Sequence, residues 1–349
     1  MGFFNKIFGG GTEVKKETSA SRIVNVIKEK TTVECVTLVP VKEGTKPWNS
    51  KIGGMPYMPQ GFEYPLDETD LTVVLEGQQP AVKPGATASV FAGLGGDSPI
   101  EPAVKPGVTG EREAALQPDE IEEQAGGKVE EHEKMPLRFL AQLNFSEMPP
   151  LEGFPTKGIL QFYISGESSY GLNFENRVGQ HGFRVIYHED VVEDESVLFS
   201  TLPTDAVEWK DAFPVEDELR LTFEKSTMPV MAGDYRFDKI LLEAYNEVHA
   251  DNPVPSLDRI PEDNLDDVYG PLEMGGHRVG GYPIFTQLDP REYHEDLKGH
   301  TVLLFQLDSE DGDDYSILWG DSGVCNFFIR PEDLAKRDFS NVLYNWDCY

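Results

Sequence analysis

Residues Thr301 to Ile329 read TVLLFQLDSEDGDDYSILWGDSGVCNFFI. An apolar run ending Phe305-Gln306-Leu307 gives way to an acidic turn, a Tyr315 to Trp319 strand, a Gly320-Asp321-Ser322-Gly323 corner and a second apolar run, Val324 to Ile329. Short apolar runs bounded by Gly/Asp turns and enriched in aromatic and β-branched residues have the pattern of buried strands. The stretch Leu137 to Ile164 has the same plan: Phe139-Leu140-Ala141-Gln142-Leu143, a Pro-rich turn, then Gly158-Ile159-Leu160-Gln161-Phe162-Tyr163-Ile164.

Upstream of each strand pair stands a second shared device. Lys51-Ile52-Gly53-Gly54-Met55-Pro56 and Arg278-Val279-Gly280-Gly281-Tyr282-Pro283 are both a basic residue, a β-branched residue, Gly-Gly, any residue and Pro. Adjacent glycines allow positive φ or a close backbone approach, and the proline holds the exit extended. Gln142 to Gly158 is 16 residues and Gln306 to Gly323 is 17, whereas Gly53 to Gln142 is 89 and Gly280 to Gln306 is 26. The excess of 63 residues falls almost wholly in one biased segment. Three motifs in the same order predict an internal duplication. The fold class expected is α+β and predominantly β: two sheet units forming one globular body.

The biased segment, about 68–134, repeats Pro-Ala-Val-Lys-Pro-Gly at Pro80 and Pro102 and is mostly acidic from Glu111 to Glu133. Low hydrophobicity with Pro, Gly and Glu enrichment does not offset the entropy of ordering, so a flexible insert is expected. Residues 1–30 read as an N-terminal apolar hook and short helix, 31–164 as the first β repeat interrupted by the insert, 165–276 as connecting strands and an amphipathic helix, and 277–349 as the second β repeat with a C-terminal strand. Strands are expected at Val33 to Val39, Phe183 to Tyr187, Leu219 to Phe223 and from Val342 onward. Phe237, Ile240, Leu241, Ala244, Tyr245 and Val248 mark one face of a helix. Pro331 fits the first position of another.

The 349 residues carry 30 basic and 62 acidic side chains, a net charge of −32. Such a surface repels nucleic-acid phosphate and anionic lipid and attracts basic partners. No apolar run approaches the about 18 residues of a membrane span, and the N-terminal hook is too short and polar for a secretory signal, so a cytoplasmic location without stable membrane insertion is expected. Cys35, Cys325 and Cys348 lie far apart without metal-site spacing, and neither a disulfide framework nor a cofactor is indicated.

Candidate chemistry is sparse. Gly320-Asp321-Ser322-Gly323 invites a hydrolase reading with Ser322 as nucleophile, but no histidine sits in a partner motif. The alternative is a strand-connecting turn in which Asp321 bonds backbone amides and Gly323 supplies the torsion. The acidic run Asp308 to Asp314 fails the EF-hand template, because counting back from Gly312 puts Leu307 at the first ligand position. His181, His188, His294 and His300 lack metal-triad spacing, so no metal is expected. Gly53, Gly54, Pro56, Gly280, Gly281, Pro283 and Gly323 read as structural turns, the double glycines lacking any phosphate-loop context. Gln142 and Gln306 end apolar strands, where a buried amide needs several partners. They are expected to satisfy the Gly-Gly corners or, with Asp308, Trp319, Asp321 and Asn326, to line a binding groove for a peptide strand or small ligand.

Taken together, Ser50 to Tyr57, Leu140 to Phe145, Gly158 to Phe162 and above all Trp319-Gly320-Asp321-Ser322-Gly323-Val324-Cys325-Asn326-Phe327-Phe328-Ile329 resemble the YwqG family, also called DUF1963. The resemblance implies a mostly β, α+β cytoplasmic protein and no established activity. The doubled Gly-Gly-X-Pro and Leu-Gln pattern is more distantly similar to programmed cell death protein two and its ribosome-assembly relatives, which escort a ribosomal protein. The present chain lacks their cysteine-rich zinc finger. The function expected is a non-enzymatic acidic protein-binding or chaperone-like module for a basic protein. The alternatives are a hydrolase using Asp321 and Ser322 and a toxin-immunity-type binding protein.

Overall fold

The computed structural model describes residues 18–68, 134–261 and 265–349. The apolar hook and the insert between 69 and 133 lie outside the described residues. In chain order the elements are α1 (Ser19–Thr31), β1 (Val33–Val41), β2 (Lys51–Ile52), β3 (Arg138–Asn144), β4 (Ile159–Ile164), β5 (Phe183–His188), β6 (Leu219–Met228), α2 (Phe237–Val248), α3 (Asp266–Tyr269), β7 (His277–Gly280), α4 (Pro290–Tyr293), β8 (Val302–Asp308), β9 (Glu310–Asp311), β10 (Ser316–Ile317), β11 (Val324–Ile329), α5 (Pro331–Lys336) and β12 (Val342–Asp347). None of the described helices is long and apolar enough to cross a membrane.

Ten strands form one sheet in the order β12-β11-β8-β7-β1-β6-β2-β3-β4-β5, and the pairings are antiparallel. Its centre is the longest ladder, β1 on β6, running in register from Val33 opposite Met228 to Val41 opposite Arg220. The sheet curls until its halves pack face to face. Phe162 of β4 stacks on Phe305 of β8 at 4.7 Å and lies 4.8 Å from Phe327 of β11, ring centroid to centroid. Burial of such aromatic pairs is the main driving force for closing the curl.

The two sheet edges nearly meet, with Phe183 of β5 and Tyr344 of β12 at 4.9 Å. The chain between β4 and β5 stitches them. Tyr344 N donates to Arg177 O at 3.0 Å and Trp346 Nε1 to Ser169 O at 2.7 Å. On the other edge Val185 N donates to Gln180 Oε1 at 2.8 Å, and Gln180 Nε2 reaches Phe339 O at 2.7 Å. These contacts occupy edge amides that would otherwise template pairing with another chain.

Helices form a separate apolar layer. Thr18 caps α1 by accepting from Ser21 N, and Ile23 and Ile27, one turn apart, are buried with Phe237, Leu241, Ala244 and Tyr245 of α2. That spacing is one helical face. The start of α2 is pinned by an ion network without solvent contact. Arg291 of α4 donates to Asp289 at 2.6 Å and to Asp234 at 3.3 Å, with all three side chains at most 1 % exposed. Its guanidinium also lies 4.3 Å over the Phe328 ring.

Region 165–276 supplies edge strand β5 and central strand β6. Two expectations change. The Tyr315 to Trp319 strand shrinks to Ser316–Ile317, paired with β9 in a two-stranded ribbon and bridged at Ile317 to Val215, because Trp319 turns into the core while Leu318 stays half exposed. At the Gly320 to Gly323 corner the positive φ values belong to Gly320 (54°) and Ser322 (59°) rather than to Gly323. Gly323 is needed for space: a Cβ there would stand 2.0 Å from Asp347 O.

Replacing Arg291 by Met strands the buried Asp289 carboxylate, while Asp234 keeps its pair with Arg236 at 2.6 Å. It is expected to cost about 3–5 kcal/mol in urea unfolding, the range for breaking a buried ion pair from one side. Lys298→Met, which removes an exposed pair with Glu295, is expected to leave the unfolding midpoint in place.

Candidate functional site

Two chemically matched corners dominate the polar interior. On the outer face of β3 and β4, Gln142 stands opposite Gln161 in the strand register, and on β8 and β11 Gln306 stands opposite Asn326. All four are buried at 0 % exposure. Gln142 Oε1 accepts from Tyr57 N at 2.9 Å while Gln161 Nε2 donates to Tyr57 O at 2.8 Å. In the other corner Gln306 Oε1 accepts from Ile284 N at 2.9 Å and Asn326 Nδ2 donates to Ile284 O at 2.8 Å. Each amide pair thus holds both polar groups of one residue in a segment laid over the sheet. Further amide hydrogens are used too. Gln142 Nε2 donates to Pro47 O and Asn49 O at 2.6 and 2.7 Å, and Gln306 Nε2 to Gly276 O at 2.6 Å.

The glycines explain how the chain reaches these positions. Gly53 and Gly54 have φ of 64° and 69°, and Gly280 and Gly281 have 72° and 70°. Two successive left-handed residues turn the backbone off the sheet, at little cost only for glycine. Space forbids a side chain as well, since a Cβ on Gly53 would stand 2.4 Å from Asp217 O.

A cation closes each turn four residues on. Lys51 pairs with Gln142 in the β2–β3 register and its Nζ donates to Met55 O at 2.8 Å. Arg278 pairs with Gln306 and donates to Tyr282 O at 3.2 Å, to Met274 O at 2.8 Å and to Gly275 O. Burial pushes the Lys51 ammonium down to about 8, against the raising effect of Glu218 and Glu147. Burial likewise lowers Arg278.

Around the second corner Asp308 accepts from Gly276 N at 2.7 Å through one oxygen and from Ser309 N at 2.9 Å through the other. Its own N–H donates to His277 Nδ1 at 3.0 Å, which leaves Nε2–H to donate to Glu310 at 2.5 Å. That bond to His277 holds the Glu310 carboxyl below its usual range. Near the first corner His188 lies edge-on to Tyr57 at 5.2 Å and its Nε2 bonds Gln161 Oε1 at 2.9 Å. Burial lowers the imidazole to about 4.

Of the residues expected to line a groove, Gln142, Gln306 and Asn326 are engaged in the corners and inaccessible. Trp319 is a core side chain set edge-on against Tyr170 at 5.7 Å. Asp308 is half-buried at the second corner and Asp321 is exposed, its backbone oxygen accepting from Tyr349 N at 3.2 Å. The geometry places these six in two corners, the core and a surface turn, not around one open cleft. Gln161, Lys51, Arg278 and His277 complete the corners. Only the basic residue heading each Gly-Gly motif was marked by the sequence pattern, and nothing in the sequence distinguished Gln161 from a strand residue facing solvent.

Among the described residues no group of three or more His, Cys, Asp or Glu side chains is arranged to hold a metal ion. Ser322 is exposed in its turn. The ring nitrogens of His188, His249, His277 and His300 bond to Gln161, Ser19, Glu310 and Asn341 respectively.

Two tests address the corners. Gln142→Leu leaves Tyr57 N, Pro47 O and Asn49 O without their partner. The expected loss is about 2–4 kcal/mol, with faster hydrogen exchange at the Tyr57 amide than at Ile284. For His188 the folded pKa lies below the unfolded value, so the unfolded chain takes up the proton first on acidification. Stability from this group is present above about pH 6.5 and is lost as pH falls toward 4. His188→Gln is therefore expected to lose less stability than the wild type between about pH 7 and pH 4.5, read from urea midpoints.

A family model described as "Domain of unknown function (DUF1963)" matches residues 50–348. A search of the curated proteins finds no match.

Proposed function

The chain belongs to the DUF1963 family, and from that premise we propose that it is a non-enzymatic, internally duplicated acidic module that binds a basic protein in the cytoplasm. The observation that carries this reading is the charge: 62 acidic against 30 basic side chains, net −32. The ribbon formed by β9 and β10 exposes Glu310, Asp311, Asp313 and Asp314 together. Clustered carboxylates at one protrusion speed and orient the encounter with a cationic surface, and their effect is screened by salt.

Two features support the duplication. The sheet order reads outward from its centre as β6-β2-β3-β4-β5 on one side and β1-β7-β8-β11-β12 on the other; with the copies extended to β1–β5 and β6–β12, each lends its first strand to the other's half. The corners also share offsets: cation to capped carbonyl is four residues and cation to clamped peptide is six, in both. The polar side chains most able to serve as an internal site hold this frame, which leaves the surface to recognise a partner.

The test is direct binding of purified strongly basic proteins to the immobilised full chain, with a panel of neutral proteins as controls. Binding to at least one basic protein that weakens tenfold or more between about 50 and 300 mM salt is expected. Asp311→Asn/Asp313→Asn/Asp314→Asn is expected to weaken it further at low salt. Absence of binding at low salt, or affinity indifferent to salt, would overturn the reading.

A further inference from the structure

A cavity of about 620 Å³ lies along edge strand β5, between that strand and the segment joining α5 to β12. Its volume is that of a small-molecule site. One wall is apolar, formed by Ile186, Tyr187 and Phe339, with the Tyr187 and Phe339 rings 5.3 Å apart. The charged residues that line it are Arg184, Arg337 and Glu68. Two guanidiniums against one carboxylate invert, at this one place, the sign of a chain whose net charge is −32.

Neither guanidinium is used up by the protein. Arg184 meets Glu68 at 3.8 Å, beyond hydrogen-bond distance, and its Nε is buried without a hydrogen-bond partner. A buried donor in that state calls for an acceptor. Arg337 donates to Leu334 O at 2.7 Å and to Gly153 O at 3.0 Å, both through Nη1, and a guanidinium has further donors on Nη2 and Nε. Glu189 and Asp190, near the far end of Tyr187, are held by Lys157 at 3.1 and 3.2 Å. By contrast Arg220, in the wall of another cavity, is tied to Glu147 at 3.2 Å. The backbone adds to the pattern. Gln180 and Arg337 both line the space with left-handed φ, 50° and 60°, and such strain at residues other than glycine clusters at ligand sites.

We propose that this cavity binds a small organic anion, its carboxylate or phosphate head between Arg184 and Arg337 and its apolar body against Ile186, Tyr187 and Phe339. Guanidiniums suit such oxyanions because their planar forks donate in pairs. The head group supplies the acceptor that Arg184 Nε lacks. Glu68, with its side chain 44 % exposed, can turn out to water and so acts as a weak competitor for Arg184. The site is separate from the acidic ribbon and does not depend on the protein-binding reading.

The experiment is fluorine NMR on the full-length chain with para-fluorobenzoate, para-fluorophenyl phosphate and the neutral para-fluorobenzamide. At least one of the two anions is expected to bind with a Kd of about 1 mM or tighter, and the amide about tenfold more weakly or worse. The tighter of the two anions identifies the head group. Arg184→Gln, which removes no carbonyl cap and is expected to fold, and Arg337→Gln are each expected to weaken binding about tenfold. Arg220→Gln is expected to leave it unchanged. Glu68→Gln is expected to tighten it about two- to fivefold, the worth of an exposed ion pair. The proposal is overturned if neither anion binds at about 10 mM, if the amide binds as well as the anions, or if Arg184→Gln and Arg337→Gln both keep the wild-type affinity. Salt-sensitive binding of basic proteins is expected to be the same in all four variants, so this site and the acidic surface succeed or fail separately.

Discussion

A peptide group laid across the buried face of a sheet must find a donor and an acceptor there, and this protein meets that demand with side-chain amides. Tyr57 and Ile284 each have N–H and C=O bonded to an amide pair on adjacent strands. An unpaired backbone group in such a place costs as much as a lost hydrogen bond. The outer face of β4 and β11 is therefore buried although it carries Gln161 and Asn326 beside Tyr163 and Phe328, and the covering segments become part of the core.

Much of the remaining architecture follows from that requirement. The segments can lie down only if the chain leaves β2 and β7 through two left-handed residues, which is why Gly-Gly precedes each crossing. The turn leaves carbonyls pointing inward, and a buried cation collects them. With the outer face occupied, the inner face is free to be apolar, and Phe162, Phe305 and Phe327 meet across the curl. In a simple amphipathic sheet the polar face meets water, whereas here the amides of that face are covered by protein.

The cost of the arrangement is buried charge. Lys51 and Arg278 sit at 1 % and 5 % exposure, and burial lowers both. Elsewhere the chain answers burial with pairing, as in the Asp234–Arg291–Asp289 network. At Lys51 and Arg278 backbone carbonyls take that place, one for the lysine and three for the arginine. The surface, by contrast, is governed by long-range repulsion among carboxylates, which has no bearing on the fold but sets which partners can approach.

The strand stretches, the α2 face and the location of both corners are legible in the order of the amino acids alone. Alternation, apolar run length and Gly-Gly-X-Pro are local signals, and local sterics enforce them. Gln142 and Gln306 were legible too, as buried amides in need of partners, because a glutamine set within an apolar strand carries its donors and acceptor into the core with it. Three-dimensional packing was needed to establish that β1 and β6 pair at the centre, that the Tyr315 to Trp319 run breaks so that Trp319 can enter the core, and that Gln161 and Asn326 complete the clamps. Pairing between strands nearly two hundred residues apart, and the face a side chain presents after the sheet curls, depend on contacts that no short window of sequence contains.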